Sequence, residues 1–398
     1  MEAITKDTVS IILSKNGLKA VRSGHPWIYS KGISKINKNA DSGDIAVLYD
    51  EKRKFAGLGL FDAHSPIMVR VLSSGKPVTL NRDFLKERIY SSIQKRTELI
   101  NDESTTGYRL INGENDQLPA VVLDRYDETL VLKLDSVCWL KHLDILTEIF
   151  IELLNPERIV LRLSRSVKEF SDTPDGSVIY GEELNGQITF KENGILFYAD
   201  PIRGQKTGFF IDQRENRAEV GKISRSKNVL NVFSYTGGFS ICAAKNGALS
   251  VTSLDISRHA LDGCSETFML NDEKCPHEII CGDAFEEMEK LAKIGKKYDL
   301  VIVDPPSFAR KMSDLEGALK AYAKVNILAS KLVEKDGVLV AASCTARVSS
   351  DDFFGAVLRA VGSSGRPYKV IKKTGHALDH PVGFPEGAYL KCIYVKIQ

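Results

Sequence analysis

Hydrophobic residues alternate with polar ones in short runs along the first part of the chain. Between residues 9 and 72 the runs VSIIL, GDIAVLYD, FAGLGLFD and IMVRVL are separated by glycine, asparagine, aspartate and proline. Alternation with a period of two between turn-forming residues is typical of half-buried β-strands. The pattern predicts a small β-barrel or sandwich over residues 1–74, with one short helix near residues 15–23.

The next segment combines helical and strand-like spacing. Between residues 82 and 100 apolar residues recur every three or four positions, and the runs LPAVVLD and TLVLKLD follow. A second helical pattern covers residues 141–154, and a strand-like run covers residues 158–163. The pattern predicts a central α+β domain over residues 75–188, with ITFKENG and ILFYADP pairing as a hairpin at its boundary.

From about residue 213 apolar β-branched runs alternate with amphipathic segments. The predicted strands are NVLNVF, SVTSLD, HEIICG, YDLVIVD, GVLVAAS, YKVIKK and LKCIYVKI. The predicted helices cover residues 214–224, 238–246, 257–271, 283–294, 315–334 and 350–363. This order predicts an α/β domain over residues 189–398, with a parallel sheet covered on both faces. Such sheets bind ligands beyond the carboxyl ends of their strands.

Composition narrows the class of protein. Hydrophobic residues make up 43% and charged residues 27% of the chain, as in ordinary globular proteins. The sequence has no run of about 18 uncharged apolar residues and no secretion signal, so we expect a soluble, cytoplasmic protein without a membrane partner. Its seven cysteines include no CxxC pair, which argues against a zinc site and a disulfide framework. We therefore expect no metal.

Positive charge is concentrated near the amino terminus. Residues 1–74 contain eleven Lys and Arg against seven Asp and Glu, although the whole chain has a net charge of only +2. A basic surface attracts phosphate whatever the nucleic-acid sequence, because binding releases counterions. The charge alone fits a nucleic-acid contact and a lysine-rich solvated face equally well.

Three strand ends of the α/β domain carry residues suited to a nucleotide. NVFSYTGGFS leads through Tyr235 and Gly237 into a helix, and its paired glycines allow a sharp turn close to a ligand. Asp255 ends the next strand, where a carboxylate can accept both hydroxyls of a ribose. CGDAF places Asp283 and Ala284 at the third strand end, beside the expected adenine edge. Glycine turns followed by an acid occur in many folds, so these residues alone leave the ligand open.

The fourth and fifth strands end in residues of a different kind. VIVDPPSF places Asp304 at a strand end, followed by Pro305 and Pro306. The two prolines fix φ and remove two backbone donors, which predicts a rigid corner that presents carbonyl groups and Phe308 to the cleft. GVLVAASC brings Cys344 to the same edge of the sheet.

The Asp-Pro-Pro-Phe corner resembles that of class I methyltransferases, and the resemblance extends along nearly the whole chain. HPWIYSKGI, GYRLINGENDQLPAVVLDRY, KTGFFIDQRENR, NVFSYTGGFS, DPPSFAR and HPVGFPEGAYLK are similar to segments of the RlmI-type ribosomal RNA methyltransferases. The resemblance implies an amino-terminal PUA domain that binds RNA, a small central α+β domain, and a Rossmann-like methyltransferase domain with a mostly parallel seven-stranded sheet.

The resemblance also implies a site for S-adenosylmethionine (SAM). It assigns to the methionine portion Thr207, Phe209 and Gln213. It assigns to the rest of the cofactor Phe233, Ser234, Tyr235, Gly237, Asp255, Asp283 and Ala284. It implies that Asp304 faces the target base, and that the base also meets Pro305, Pro306 and Phe308. Core packing is the alternative interpretation of Phe209 and Phe233.

Cys344 is the candidate nucleophile. Carbon 5 of a pyrimidine reacts poorly, and enzymes that methylate it first add a cysteine thiolate to carbon 6. The resemblance implies this chemistry on a cytosine of large-subunit ribosomal RNA, since the family has Ser-Cys at this position. A small buried residue is the alternative role for such a cysteine. The following Thr-Ala-Arg departs from the small-residue stretch expected there, which bears on the identity of the base.

Other functions fit part of the pattern. A methyltransferase could act on a purine nitrogen or on another RNA, and an RNA-binding factor for ribosome assembly could keep only the cofactor fold. A nicotinamide dehydrogenase is disfavoured because the first loop lacks GxGxxG. The base that would remove the carbon 5 proton is not identified by the sequence.

RNA contacts are predicted at two places. A base must leave its stack to be methylated, and the aromatic candidates to receive it are Phe308 and Tyr389. The predicted phosphate contacts in the first domain are Lys19, Arg22, Lys31 and Arg70. Apolar strands at residues 121–134 either mediate a homodimer or face their own helix.

Overall fold

The chain forms two compact units in a computed structural model that describes residues 3–5, 7–309 and 311–398. The first unit contains Met1–Phe190, Tyr198–Phe210 and Asp379–Phe384. The second contains Lys191–Phe197, Ile211–Leu378 and Pro385–Gln398. The three domain boundaries predicted from the sequence stay a prediction.

The first unit begins with a six-stranded sheet and one helix. Its strands are β1 (Thr8–Leu13), β2 (Trp27–Tyr29), β3 (Ile33–Ile36), β4 (Ile45–Tyr49), β5 (Phe55–Phe61) and β6 (Ile67–Ser74). They lie in the order β2-β6-β5-β4-β1-β3. Helix α1 (Lys15–Arg22) begins after Ser14, whose hydroxyl accepts the Gly17 N–H. The short helix and the β-rich start of the chain match the sequence prediction.

A five-stranded sheet forms the rest of the first unit. Its strands are β7 (Gly107–Asn112), β8 (Val121–Tyr126), β9 (Thr129–Leu134), β10 (Arg158–Leu163) and β11 (Val178–Gly181). Their order is β11-β10-β9-β8-β7. Strands β8 and β9, which were candidates for dimer pairing, are therefore interior and offer no free edge to a second chain. A homodimer stays a prediction.

Four helices accompany this sheet: α2 (Arg82–Gln94), α3 (Thr97–Ile100), α4 (Leu143–Leu154) and α5 (Arg165–Lys168). The helical pattern over residues 82–100 is therefore interrupted. The break falls at Arg96, whose guanidinium is buried and donates 2.9 and 2.6 Å hydrogen bonds to both oxygens of Asp116. This ion pair joins residues far apart in the chain, so helical periodicity alone could not predict the break.

The second unit is built on a seven-stranded sheet, and a two-stranded sheet of β12 (Ile188–Glu192) and β13 (Ile195–Ala199) precedes it. The strands of the larger sheet are β14 (Asn228–Val232), β15 (Ser250–Asp255), β16 (His277–Cys281), β17 (Tyr298–Val303), β18 (Val333–Ser343), β19 (Tyr368–Thr374) and β20 (Lys391–Ile397). They lie in the order β16-β15-β14-β17-β18-β20-β19. The first five are parallel, and β20 is antiparallel to both neighbours. The predicted mostly parallel sheet of seven strands is confirmed.

Six helices alternate with these strands, as predicted: α6 (Arg214–Lys222), α7 (Gly238–Lys245), α8 (Arg258–Leu270), α9 (Ala284–Lys293), α10 (Leu315–Leu332) and α11 (Ser350–Gly362). Side-chain caps start three of them, with Ser257 before α8, Asp283 before α9 and Ser349 before α11. No helix in the described part of the chain is long and apolar enough to cross a membrane.

Candidate functional site

The candidate residues of the second unit follow the carboxyl ends of its parallel strands. The order of the parallel strands reverses between β14 and β17. On one side of this point β15 and β16 follow β14 outward, and on the other side β18 follows β17. Loops at such a reversal leave a crevice where α/β sheets bind ligands. The loops after β14, β15, β16, β17 and β18 meet at this edge.

The loop after β14 has an unusual backbone. Phe233 and Tyr235 have φ values of 61° and 50°, a region that side chains other than glycine seldom occupy, and Gly237 has a φ of 79°. A Cβ atom added to Gly237 would overlap with Sγ of Cys264 on α8. Only glycine fits this position, so the sharp turn and the close packing of α7 depend on it.

Asp255, at the end of β15, holds this loop in place. Its Oδ2 accepts the Tyr235 N–H at 2.8 Å, and its Oδ1 accepts the Ser257 N–H at 2.9 Å. The carboxylate is only half-buried, so the remaining lone pairs of its oxygens can still accept ligand hydroxyls. The same acid therefore stabilises the strained turn and faces the crevice edge.

Ser234 provides the clearest sign that this loop fits a polar ligand. Its side chain is 5% exposed, and Oγ has no hydrogen-bond partner among the residues that the structure describes. A buried hydroxyl without a partner costs free energy. The loop thus has a donor ready for a polar group that binds beside it.

The end of β16 is shaped by helix capping. Asp283 accepts the N–H groups of Phe285 and Glu286 at 2.9 and 3.1 Å, and both bonds use Oδ1. Ala284 is 5% exposed and begins α9. Asp283 itself is exposed, which leaves Oδ2 open to a ligand.

Asp304, after β17, belongs to a chain of oriented polar groups. Gln213 Nε2 donates to Asp304 Oδ2 at 2.9 Å, and Gln213 Oε1 accepts from Asn216 Nδ2 at 2.6 Å. Asn216 Oδ1 in turn accepts from the hydroxyl of Thr374 at 2.6 Å. Each bond fixes the direction of the next amide, so the Gln213 N–H is aimed at the Asp304 carboxylate. The structure thus joins two residues to which the family resemblance assigned different roles.

The proline corner, residues 305–308, directly follows Asp304 in the chain. Pro305 is buried and Pro306 is exposed. Phe308 is half-buried, and its ring meets the ring of Tyr322 edge-on with centroids 4.9 Å apart. Its core packing is therefore real, while the exposed part of the ring still faces solvent.

The turn after β18 is held by hydroxyl groups. The Tyr322 hydroxyl lies 2.8 Å from Ser343 Oγ and 2.7 Å from Thr345 Oγ1, the residues on either side of Cys344. Thr345 Oγ1 also donates to Ser307 Oγ of the proline corner at 3.1 Å. The thiol and the proline corner are thereby fixed with respect to each other.

Exposure distinguishes Cys344 from the buried cysteines. Cys242, Cys264 and Cys392 are buried in this unit, whereas Cys344 is half-buried. Burial raises the pKa of Cys264 to about 11 and of Cys392 to about 12, so both remain thiols at neutral pH. Cys344 combines accessibility with a turn bonded to the proline corner, whereas the exposed Cys281 ends the edge strand β16.

Sequence reasoning missed Lys391. Its side chain is 2% exposed, and Nζ donates to the carbonyl oxygens of Thr345 and Val348 at 2.6 and 2.7 Å. Burial lowers the pKa of Lys391 to about 8, while the nearby charge of Cys344 acts in the opposite direction. The signal was Lys391 at the start of the mostly apolar strand LKCIYVKI, whose other lysine, Lys396, lies near its end.

Thr207 and Phe209 belong to the first unit, apart from the other predicted cofactor residues. The Thr207 hydroxyl donates to Asp124 Oδ2 at 2.6 Å and lies 3.0 Å from the Tyr126 hydroxyl. The Phe209 ring meets Phe190 edge-on with centroids 5.1 Å apart. Both side chains are buried in the packing of that unit.

The candidate RNA contacts divide into exposed and buried groups. Lys19, Arg22 and Lys31 are exposed. Arg70 is 6% exposed and lies 3.3 Å from Glu114, so we remove it from the phosphate contacts. The Tyr389 hydroxyl donates to Asp212 at 2.9 Å, and its ring meets His376 edge-on.

Among the described residues no group of three or more His, Cys, Asp or Glu could hold a metal.

Family models match two parts of the chain. Residues 165–364 match the model of an S-adenosylmethionine-dependent methyltransferase, and residues 11–74 match a PUA-like domain. The second match supports the predicted PUA-like start of the chain.

Similar proteins match over nearly the full length. A "Ribosomal RNA large subunit methyltransferase" of Deinococcus radiodurans is 41% identical over 394 residues, which covers 97% of each chain. A "Ribosomal RNA large subunit methyltransferase I" of Aliivibrio fischeri is 34% identical and covers 96% of this chain and 98% of its own.

Solved structures share the fold. A candidate SAM-dependent methyltransferase of Streptococcus mutans superposes with a TM-score of 0.84 at 23% identity, covering 97% of this chain and 99% of its own. A candidate methyltransferase solved in complex with SAH has a TM-score of 0.85 at 24% identity and covers 98% of this chain and all of its own. At this level of identity the likeness concerns architecture.

Proposed function

Because the chain belongs to the family of S-adenosylmethionine-dependent large-subunit ribosomal RNA methyltransferases, we propose that it methylates carbon 5 of a cytosine in that RNA. In this proposal Cys344 is the nucleophile. The observation that carries it is the placement of a half-buried thiol, beside Asp304 and the proline corner, at the edge where the cofactor loops end.

The loops of the second unit fit a SAM molecule. In the proposal the donor of Ser234 and the turn at Phe233, Tyr235 and Gly237 surround the cofactor, because that backbone is already shaped and its buried hydroxyl lacks a partner. Asp255 accepts the ribose hydroxyls with lone pairs that the backbone leaves open.

The other proposed cofactor contacts follow from the family. Asp283 and Ala284 flank the adenine, and Gln213 lies near the methionine portion with its amide already oriented by Asn216. Thr207 and Phe209 keep their proposed place near the methionine portion on the strength of family resemblance alone. Phe233 is half-buried and can combine cofactor contact with packing.

The target base is proposed to enter between the proline corner and the thiol turn. Asp304 faces the base, and Pro305, Pro306 and the exposed part of Phe308 line its place. The base must be turned out of its stack to reach Cys344. Lys19, Arg22 and Lys31 are proposed to bind phosphate and orient the RNA without reading its sequence.

The proposed reaction begins at the thiol. The Cys344 thiolate adds to carbon 6 of cytosine, and the electron pair of the 5,6 double bond makes carbon 5 nucleophilic. When bound, SAM supplies the methyl group that carbon 5 takes, and its sulfur keeps the electron pair of the broken bond. A general base, or water acting in its place, then removes the carbon 5 proton. The 5,6 double bond re-forms and Cys344 leaves as the thiolate.

Transfer of labelled methyl from SAM to ribosomal RNA tests the proposal, with digestion to nucleosides to identify the product. We expect 5-methylcytidine from the wild type and a loss of at least about a thousandfold in Cys344→Ala, because the nucleophile is removed. Cys281→Ala is the matched control, since Cys281 is an exposed cysteine at the end of the edge strand β16, which three strands separate from β18.

Two alternatives are separated by the same assay. A methylated purine, or undiminished transfer by Cys344→Ala, would assign the chain to another base and remove the thiol from the reaction. RNA binding without any methyl transfer would identify a non-catalytic assembly factor. RNA that contains 5-fluorocytidine adds a direct reading, because carbon 5 then has no proton to lose and the Cys344 adduct should persist on a denaturing gel.

A further inference from the structure

Lys391 lies directly beside the residues that flank Cys344. It begins β20 and pairs in antiparallel register with Ser343, the last residue of β18. Its ammonium reaches past this pair to the carbonyl oxygens of Thr345 and Val348. The turn that follows Cys344 is therefore closed by a side chain from the neighbouring strand.

A charged group at this depth needs a physical reason. Lys391 is 2% exposed, and the acceptors of its ammonium in the described part of the chain are two neutral carbonyls rather than a carboxylate. Desolvating an ammonium without an opposite charge is costly, and an apolar side chain of equal length would fill the same space more cheaply. Closing the turn alone does not explain the charge.

The negative charge of a Cys344 thiolate offsets the free-energy cost of burying the Lys391 ammonium. Burial is the larger influence on Lys391 and lowers its pKa to about 8, and the charge of Cys344 raises it. An ammonium has three N–H donors, and two carbonyls use two of them. Neither carbonyl uses the third N–H.

Among the described residues, the other charged or titratable side chains at the thiol turn are Tyr322, Asp304 and Arg347, and Arg347, within the turn itself, is exposed. Tyr322, from α10, is buried, and burial together with the charges of Cys344 and Asp304 raises its pKa, so it stays a neutral phenol. Asp304, after the end of β17, contributes a carboxylate that accepts the amide N–H of Gln213.

We propose that Lys391 is a positioning residue for Cys344. The Lys391 ammonium closes the turn through Thr345 and Val348 and stabilises the Cys344 thiolate electrostatically. The proposal rests on the proposed function, since only a reacting cysteine needs to be a thiolate. A nearby cation favours the thiolate because it lowers the free energy of the charged form. Lys391 itself takes no part in bond making.

The test measures the thiolate directly. The alkylation rate of Cys344 by iodoacetamide is followed from pH 6 to 10 by peptide mass spectrometry, with the exposed Cys281 in the same molecule as an internal reference. In Lys391→Met the apparent pKa of Cys344 should rise by about one unit, which lowers its reactivity at pH 7.5 about tenfold. Lys391→Arg keeps the charge and should recover most of the reactivity.

Lys396→Met is the matched control on the same strand. Lys396 is 40% exposed and pairs with Asp336 at 3.0 Å, so its loss should leave the Cys344 profile unchanged. An unchanged profile in Lys391→Met, or equal effects of the Arg and Met variants, would overturn the electrostatic role. Should Lys391→Met fail to fold, a wild-type Cys344 that titrates at or above the ordinary thiol value of about 8.5 would overturn it as well.

Alkylation also separates the two proposals. If Cys344→Ala still methylates RNA while the Cys344 profile responds to Lys391, the nucleophile assignment fails and the effect of Lys391 on the thiol stands. If methylation needs Cys344 but the pH dependence of Cys344 alkylation is the same in Lys391→Met, the proposed function stands and this inference fails.

Discussion

The loop after β14 and the turn after β18 lie at the same sheet edge but are fixed by different means. Residues 233–237 are shaped by the backbone, through positive φ angles and an N–H bonded to Asp255. Residues 343–348 are held by side chains, namely the hydroxyl of Tyr322 and the ammonium of Lys391. A loop whose shape is set by its backbone suits a ligand of constant structure such as SAM. A side-chain framework can tune the reactivity of one atom.

The strongest test of this contrast is Gly237→Ala. The added methyl group would overlap with Cys264 and sit at a positive φ, so we expect a loss of about 3 kcal/mol in the free energy of unfolding and no measurable SAM binding. Urea unfolding and calorimetric titration measure both. Gly317→Ala is the control, because a Cβ there meets nothing within 4 Å, and equal losses in the two variants would refute the steric explanation.

Asp255→Asn tests the anchor of the same loop. The amide keeps the shape of the side chain but loses the charge and one acceptor oxygen, so SAM affinity should fall by about 2 kcal/mol, roughly thirtyfold. Reactivity of Cys344 toward iodoacetamide should not change. A changed alkylation rate of Cys344 with unchanged SAM affinity would show that Asp255 acts on the thiol turn and not on cofactor binding.

Tyr322→Phe tests the side-chain framework of the thiol turn. The ring and its packing remain, but the hydroxyl that links Ser343 and Thr345 is removed, which should cost about 1 kcal/mol of stability. We expect a several-fold lower kcat with unchanged SAM affinity. A weaker affinity with unchanged kcat would show that the turn serves binding instead.

The smallest expected effect is a pH dependence of stability at Lys391. Because its folded pKa of about 8 lies below the ordinary value of 10.5, the unfolded chain binds more protons between these values, and Lys391 becomes less destabilising as pH rises through that window. The stability of the wild type relative to Lys391→Met should therefore increase by about 0.8 kcal/mol between pH 7 and 8.5. Urea unfolding at both pH values measures it, and a flat difference would contradict a buried charge.

The same contrast explains what the sequence could and could not predict. The strand order and the glycine turn follow from local patterns, since periodicity and paired glycines are visible in short windows. The links from Tyr322 to Ser343 and from Lys391 to Thr345 join residues 21 and 46 positions apart, and nothing in either segment announces its partner. Arg70 looked like a surface cation for the same reason, because Glu114 lies 44 positions away.

The contact between Gly237 and Cys264 also has a consequence for the history of the chain. Cys264 stands where a side chain of that size fills the space above a residue without a Cβ atom. A substitution at either position changes what the other can tolerate, so the two should mutate as a linked pair among descendants of this gene. A larger residue at 264 would then be accepted only where the neighbouring helix has moved, and any side chain at 237 only where 264 has become smaller.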